Sequence, residues 1–93
     1  MTITIRTFAD LREILGAKEQ ELAVPEGQTV RGLLEGLCEA HPTLRGKLFD
    51  SAGEIRPYII ILKNGRNITS LQQLDTPLEP GDVIALFPPV AGG

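Results

Sequence analysis

Apolar and polar positions alternate from the first residues of the chain. Ile3 and Ile5 fall on one side of an extended backbone, and Thr2, Thr4 and Arg6 fall on the other. That period of two predicts a half-buried strand over 2–8. The period then lengthens: Leu11, Ile14 and Leu15 share one helical face, and Gly16 stands where a helix-ending glycine belongs. A second strand is expected over 19–24, with Leu22 and Val24 inward, closed by the Pro25-Glu26-Gly27 turn. The strongest helical pattern follows. Val30, Leu33, Leu34, Leu37 and Cys38 make a buried stripe, Thr29 is its N-cap, and Pro42 stops it. Gly32 and Gly36 each weaken an exposed helix by about 1 kcal/mol relative to alanine. On the inner edge of the helix, a glycine would let it approach a sheet closely.

Beyond Pro42 the pattern is less regular. Residues 43–56 read as a helical turn and a loop. Residues 57–63 read as a strand with apolar side chains on both faces, and Asn64-Gly65 is a primed hairpin turn. Residues 66–78 hold a short strand and an irregular connection. Pro80 and Gly81 occupy the centre of a tight turn, and Val83 to Phe87 form the last strand, ended by Pro88 and Pro89. The order predicts an α+β fold, one main helix on one mixed sheet.

Composition narrows the function. The 93 residues make one domain, and with four aromatic residues (Phe8, Phe49, Tyr58, Phe87) the core rests on Ile, Leu and Val. A net charge of −3 without a basic run argues against nucleic acid as a partner. No apolar stretch approaches the roughly 18 residues of a membrane span, and no signal peptide is visible, so the expected location is cytoplasmic. The single cysteine, Cys38, excludes an internal disulfide. Cys38 reads as a buried small hydrophobe and His41 as a helix-end residue. These two cannot complete a four-ligand zinc site, no phosphate-binding glycine loop is present, and the carboxylates are scattered. No catalytic or metal-binding residue is assigned and no bound cofactor is expected.

The chemistry lies at the end, FPPVAGG. Tandem prolines favour an extended path, and the residue before a proline is biased the same way. Phe87, Pro88 and Pro89 should therefore aim the chain away from the body, with Val90, Ala91, Gly92 and Gly93 projecting as a thin, flexible arm. The body is 1–87 and the tail 88–93. Six residues reach at most roughly 20 Å, enough to enter another protein's active site. Gly92 lets the backbone pass a narrow channel. The reactive group is the terminal carboxylate of Gly93, ionised at neutral pH and inert to nucleophiles until a partner activates it. Nothing in the chain binds ATP, so this protein's expected role is that of a substrate.

The segment LEPGDVIALFPPVAGG resembles the C-terminal signature of the MoaD/ThiS sulfur-carrier superfamily, ubiquitin-like β-grasp proteins. ITIRTFADLREILG is similar to the first strand and helix of the MoaD type, LLEGLCEAHPTL to its main helix and LKNGRNI to its hairpin. The resemblance implies a β-grasp fold and a defined chemistry. A MoeB/ThiF-like adenylating enzyme uses ATP to activate Gly93, and a sulfur donor replaces AMP to leave a thiocarboxylate. In the MoaD type the arm then enters the large subunit of molybdopterin synthase, delivering sulfur for the molybdenum or tungsten cofactor. Phe87 to Ala91 would be gripped by the partner. The stretch from Leu44 to Arg56 is longer than in that type, as in archaeal ubiquitin-like modifiers and carriers for cysteine synthesis. The main reading is a sulfur carrier of the molybdopterin-synthase type. The alternatives are a modifier joined to lysines through Gly93, a carrier for cysteine or thiamine synthesis or tRNA thiolation, and an interaction domain with an inert tail.

A docking face follows from alternation. With Lys63 pointing outward, Ile59 and Ile61 share its side, and Tyr58, Ile60 and Leu62 face the helix. On the last strand Ile84 and Leu86 are core, and Val83, Ala85 and Phe87 face out. Ile59, Ile61, Ala85 and Phe87 would then form an apolar patch beside the tail, unless 66–78 covers it.

Overall fold

The alternation of Ile3 and Ile5 with Thr4 and Arg6 forms strand β1, Thr2–Thr7, in a computed structural model that describes residues 1–88. β1 pairs antiparallel with β2 (Glu19–Ala23) and parallel with β5 (Val83–Phe87). β5 pairs antiparallel with β3 (Ile60–Lys63), which turns into β4 (Arg66–Asn67). The mixed sheet runs β2-β1-β5-β3-β4. The arrangement is the α+β, β-grasp fold that the sequence led us to expect.

Helix α1 (Ala9–Leu15) ends at Gly16, whose φ of 80° is left-handed and whose N–H donates to Arg12 O at 2.8 Å. Helix α2 (Val30–Ala40) starts at Thr29, whose hydroxyl accepts from the Gly32 N–H at 3.3 Å. Val30, Leu33, Leu34, Leu37 and Cys38 are all buried, as their spacing requires. They meet Ile3, Ile5, Ile84 and Leu86 from the sheet in one core. The two glycines of α2 do not mediate close approach. A Cβ at Gly36 would stand in open space, and one at Gly32 would meet only the side chain of Gln28.

Residues 43–56 hold more structure than a turn and a loop. Pro42 stops α2 and occupies the first turn of a further helix, α3 (Pro42–Leu48), where its missing N–H costs nothing. Leu44 and Leu48, four apart, are fully buried. Arg45 of α3 reaches Glu35 of α2 at 2.7 Å. Asp50 then accepts from the N–H groups of Ala52 and Glu54 at 2.9 and 3.0 Å, tightening the return to Ile55.

The facing of β3 is the reverse of the sequence expectation. Ile59 and Ile61 are buried in the core, while Ile60 and Tyr58 are 46% and 48% exposed. The reason is Lys63. Its aliphatic stem runs along the core side, and its ammonium reaches Pro77 O at 2.8 Å and the Asp82 carboxylate at 3.4 Å. Lys63 therefore does share a side with Ile61, but that side faces the helices. The 66–78 connection lies there too, as two short 3₁₀ turns, Ile68–Ser70 and Gln73–Asp75, and it buries Ile68, Leu74 and Leu78 in the core. Among the described residues, no helix is long and apolar enough to cross a membrane.

Candidate functional site

Pro88 follows β5 directly, and β5 is fixed at both ends. At its start, Gly81 adopts a φ of 84°, which allows the Glu79–Asp82 turn to close with Asp82 N–H on Glu79 O at 3.1 Å. The Asp82 carboxylate then accepts from Asn64 Nδ2 at 2.9 Å and from the Glu79 N–H at 2.8 Å. Asn64 Oδ1 in turn accepts from the Val83 N–H at 2.8 Å. Asn64 and Gly65 both have positive φ, so the β3–β4 hairpin is the primed type and presents Asn64 to this knot. Burial pushes the Asp82 carboxyl pKa up. The Asn64 amide, the Glu79 N–H and the Lys63 ammonium outweigh that and hold it below the ordinary carboxylate range. The Gly81-Asp82 pair of the sequence motif is thus a lock joining two turns at the root of β5.

At its far end, β5 presents Phe87 outward. Phe87 stands opposite Ile60 of β3 in the ladder, and Ala85 opposite Leu62. Residues opposite each other share a face, so Ile60, Leu62, Ala85 and Phe87 form one apolar surface on the side of the sheet away from the helices. Phe8, just beyond β1 and in register with its outward residues, stacks on Phe87 with ring centroids 4.3 Å apart and planes 8° apart. Sequence reasoning missed Phe8, although its even position alongside Thr4 and Arg6 carries the signal. Of the expected patch, Ala85 and Phe87 are outward and half-buried, whereas Ile59 and Ile61 belong to the core.

Pro88, half-buried, lines a cavity of about 380 Å³ with Asp10, Lys47, Arg56, Tyr58 and Ile59. Lys47 pairs with Asp10 at 2.9 Å, and Arg56 Nε donates to Gly46 O at 3.0 Å, so α1, α3 and the approach to β3 wall this root. Pro89, Val90, Ala91, Gly92 and Gly93 lie outside the described residues.

Cys38 is buried among α2's apolar residues, and burial raises its thiol pKa, away from thiolate reactivity. His41 ends α2 through its backbone N–H, which donates to Leu37 O at 2.8 Å. No group of three or more His, Cys, Asp or Glu among the described residues is placed to hold a metal ion.

Residues 5–93 match the ThiS family. Small archaeal modifier protein 3 of Haloferax volcanii is 39% identical over 93 residues, covering all of both chains. The molybdopterin synthase sulfur carrier subunit of Chlamydomonas reinhardtii is 30% identical, also over the full length of both. The crystal structure of SAMP1 from Haloferax volcanii superposes with a TM-score of 0.87 at 35% identity, covering all of both chains. The fold is shared with that solved structure, and the chain belongs to the ThiS family of small, ubiquitin-like, non-catalytic sulfur carriers and modifiers.

Proposed function

We propose that Gly93 is the working residue and that the protein is chiefly a modifier, joined through its terminal carboxyl to lysine amines of other proteins. An adenylating enzyme uses ATP to convert the carboxylate to an acyl-adenylate, releasing pyrophosphate. A lysine amine then attacks the acyl carbon, AMP leaves, and an isopeptide bond remains. Residues 88–93 form the arm that carries this chemistry: Pro88 and Pro89 stiffen it, and Val90, Ala91 and Gly92 thread the partner's channel. The observation that carries the reading is the arm's origin. It leaves a central strand locked by Asp82 at one end and flanked by the Phe8, Ile60, Leu62 and Phe87 surface at the other. That surface is the docking face for the adenylating enzyme. The archaeal modifier relatives support conjugation as the main role.

A second reading uses the same acyl-adenylate. Sulfide displaces AMP and leaves a thiocarboxylate, or a persulfide displaces AMP to give an acyl disulfide whose S–S bond a second thiol cleaves, becoming a disulfide and releasing the same thiocarboxylate. That group delivers sulfur to an acceptor such as the large subunit of molybdopterin synthase. The full-length similarity to a molybdopterin synthase sulfur carrier subunit favours keeping it. Intact mass spectrometry of the protein purified from its own cells tests both. Lysine-linked adducts that vanish when Gly93 is deleted support the modifier. A terminus with one oxygen replaced by sulfur, lost on the same deletion, supports the carrier. Neither product, with a matching adenylating enzyme and ATP supplied, overturns the reading.

A further inference from the structure

β2 is the edge of the sheet, and beside it lies a groove unrelated to the arm. Val24 N–H donates to Met1 O at 2.8 Å, and Thr7 N–H donates to Lys18 O at 3.0 Å. In an antiparallel ladder the hydrogen-bonded pairs alternate, so Lys18, Gln20, Leu22 and Val24 spend their backbone groups on β1. Those of Glu19, Glu21 and Ala23 point outward from the sheet edge. No backbone bond among the described residues closes that side. Between this edge and α2 runs a groove of about 290 Å³, walled by Leu22, Val24, Leu33 and Leu37, with Gly36 opening its helix side and the Gln28 side chain lying over Gly32.

We infer that this edge and groove bind an extended peptide segment of another protein, which adds as a sixth strand beside β2. The alternation of an added strand specifies its chemistry. Side chains turned toward α2 enter the apolar groove and are aliphatic. Those on the opposite face stand beside Glu21 and beside Glu19, which Arg6 of β1 already pairs at 3.3 Å, and are basic. Glu21 on that face has no ion-pair partner among the described residues, so a basic strand meets unspent acidic charge there. A second copy of this chain does not fit. Antiparallel pairing of two β2 edges centred on Glu21 places glutamate against glutamate, the arrangement by which edges resist self-association. The chain's own last residues carry no basic group. β1 and β5 separate this edge from the Ile60 side of the sheet, so non-covalent recognition here does not depend on the arm's chemistry.

The test is titration of the full-length, isotope-labelled protein with a short synthetic peptide of alternating valine and lysine, followed by amide NMR shifts. A valine–glutamate peptide serves as control. Shifts and slowed exchange at Glu19, Glu21 and Ala23, with saturation at micromolar peptide, are expected. Gly36→Leu should abolish binding. It places a side chain in open space at an exposed helix position and should leave the fold intact, as its unperturbed distant amides would report. Glu21→Lys should weaken the basic peptide at least tenfold and favour the acidic one. Deletion of Gly92 and Gly93 should change nothing, which separates this site from the proposed conjugation. The inference is overturned by no saturation at millimolar peptide, by shifts confined to Ile60, Leu62 and Phe87, by Gly36→Leu binding like wild type, or by self-association through β2.

Discussion

Lys63 decides more than its size suggests. A lysine at a strand end is ordinarily solvated, and that expectation inverted the reading of β3. In the fold its ammonium is satisfied by Pro77 O and Asp82, so the same parity that places Lys63 inward also buries Ile59 and Ile61. Ile61→Ala should cost about 2–5 kcal/mol in urea unfolding, whereas Ile60→Ser should stay within about 0.5 kcal/mol of wild type. The opposite ranking would restore the inverted strand. Asp82 gives a pH-dependent prediction. Its folded pKa lies below the unfolded one, so its stabilisation is present above the unfolded value and is lost as pH falls through the folded value. Asp82→Asn loses the charge and places an amide against the donors of Asn64 and Glu79. The variant should be less stable by about 1–3 kcal/mol at neutral pH. The gap should shrink once the pH falls below about 4. A gap that stays constant with pH in denaturant titrations would show that the carboxylate charge is not what joins the two turns.

At the scale of elements, legibility followed the strength of periodicity. The five-residue stripe of α2, the glycine end of α1, the alternation of β1 and the Asn64-Gly65 turn were all readable because each element shows one period and one stop signal. β3 was not, because Ile59, Ile60, Ile61 and Leu62 are apolar without a break, and alternation cannot choose a face in such a run. Only the partner strand resolves it, by setting Ile61 opposite Leu86. α3 was read as no more than a helical turn because seven residues with an internal glycine offer just Leu44 and Leu48 as a stripe, although a proline followed by that i, i+4 pair was a usable signal. The cap of α2 gives a test on this scale. Its 3.3 Å bond from Gly32 N–H to Thr29 is long, so Thr29→Ala should cost about 0.5–1 kcal/mol, the lower half of the usual range. A loss above about 2 kcal/mol would mean that Thr29 supports more than the first turn of α2, such as its bridge to Pro77.

For the whole molecule, the proposed function divides stability and chemistry between body and arm. Among the described residues, every member of the buried core lies between Ile3 and Leu86. The proposed arm was the clearest functional candidate in the sequence because prolines and glycines act through backbone geometry, which a sequence states directly. The outer apolar face proposed as the docking surface was half legible, since it depends on which strands become neighbours. The division predicts opposite behaviour for two changes. Removing 89–93 should leave the unfolding free energy within about 0.5 kcal/mol of wild type, because every described core residue stays in place. It should abolish adenylation, because the reacting carboxylate is displaced from the partner's active site. Phe87→Ser keeps the carboxylate but removes the ring stacked on Phe8, costing about 0.5–1.5 kcal/mol for the pair beyond its buried area. The variant should remain folded and become a poorer substrate through a raised KM, because the lost contact is a binding contact remote from the acyl carbon. ATP–pyrophosphate exchange by a matching adenylating enzyme measures this directly. A fall in kcat with unchanged KM would instead place Phe87 in the alignment of the arm, and unchanged kinetics would remove the outer sheet face from the docking surface altogether.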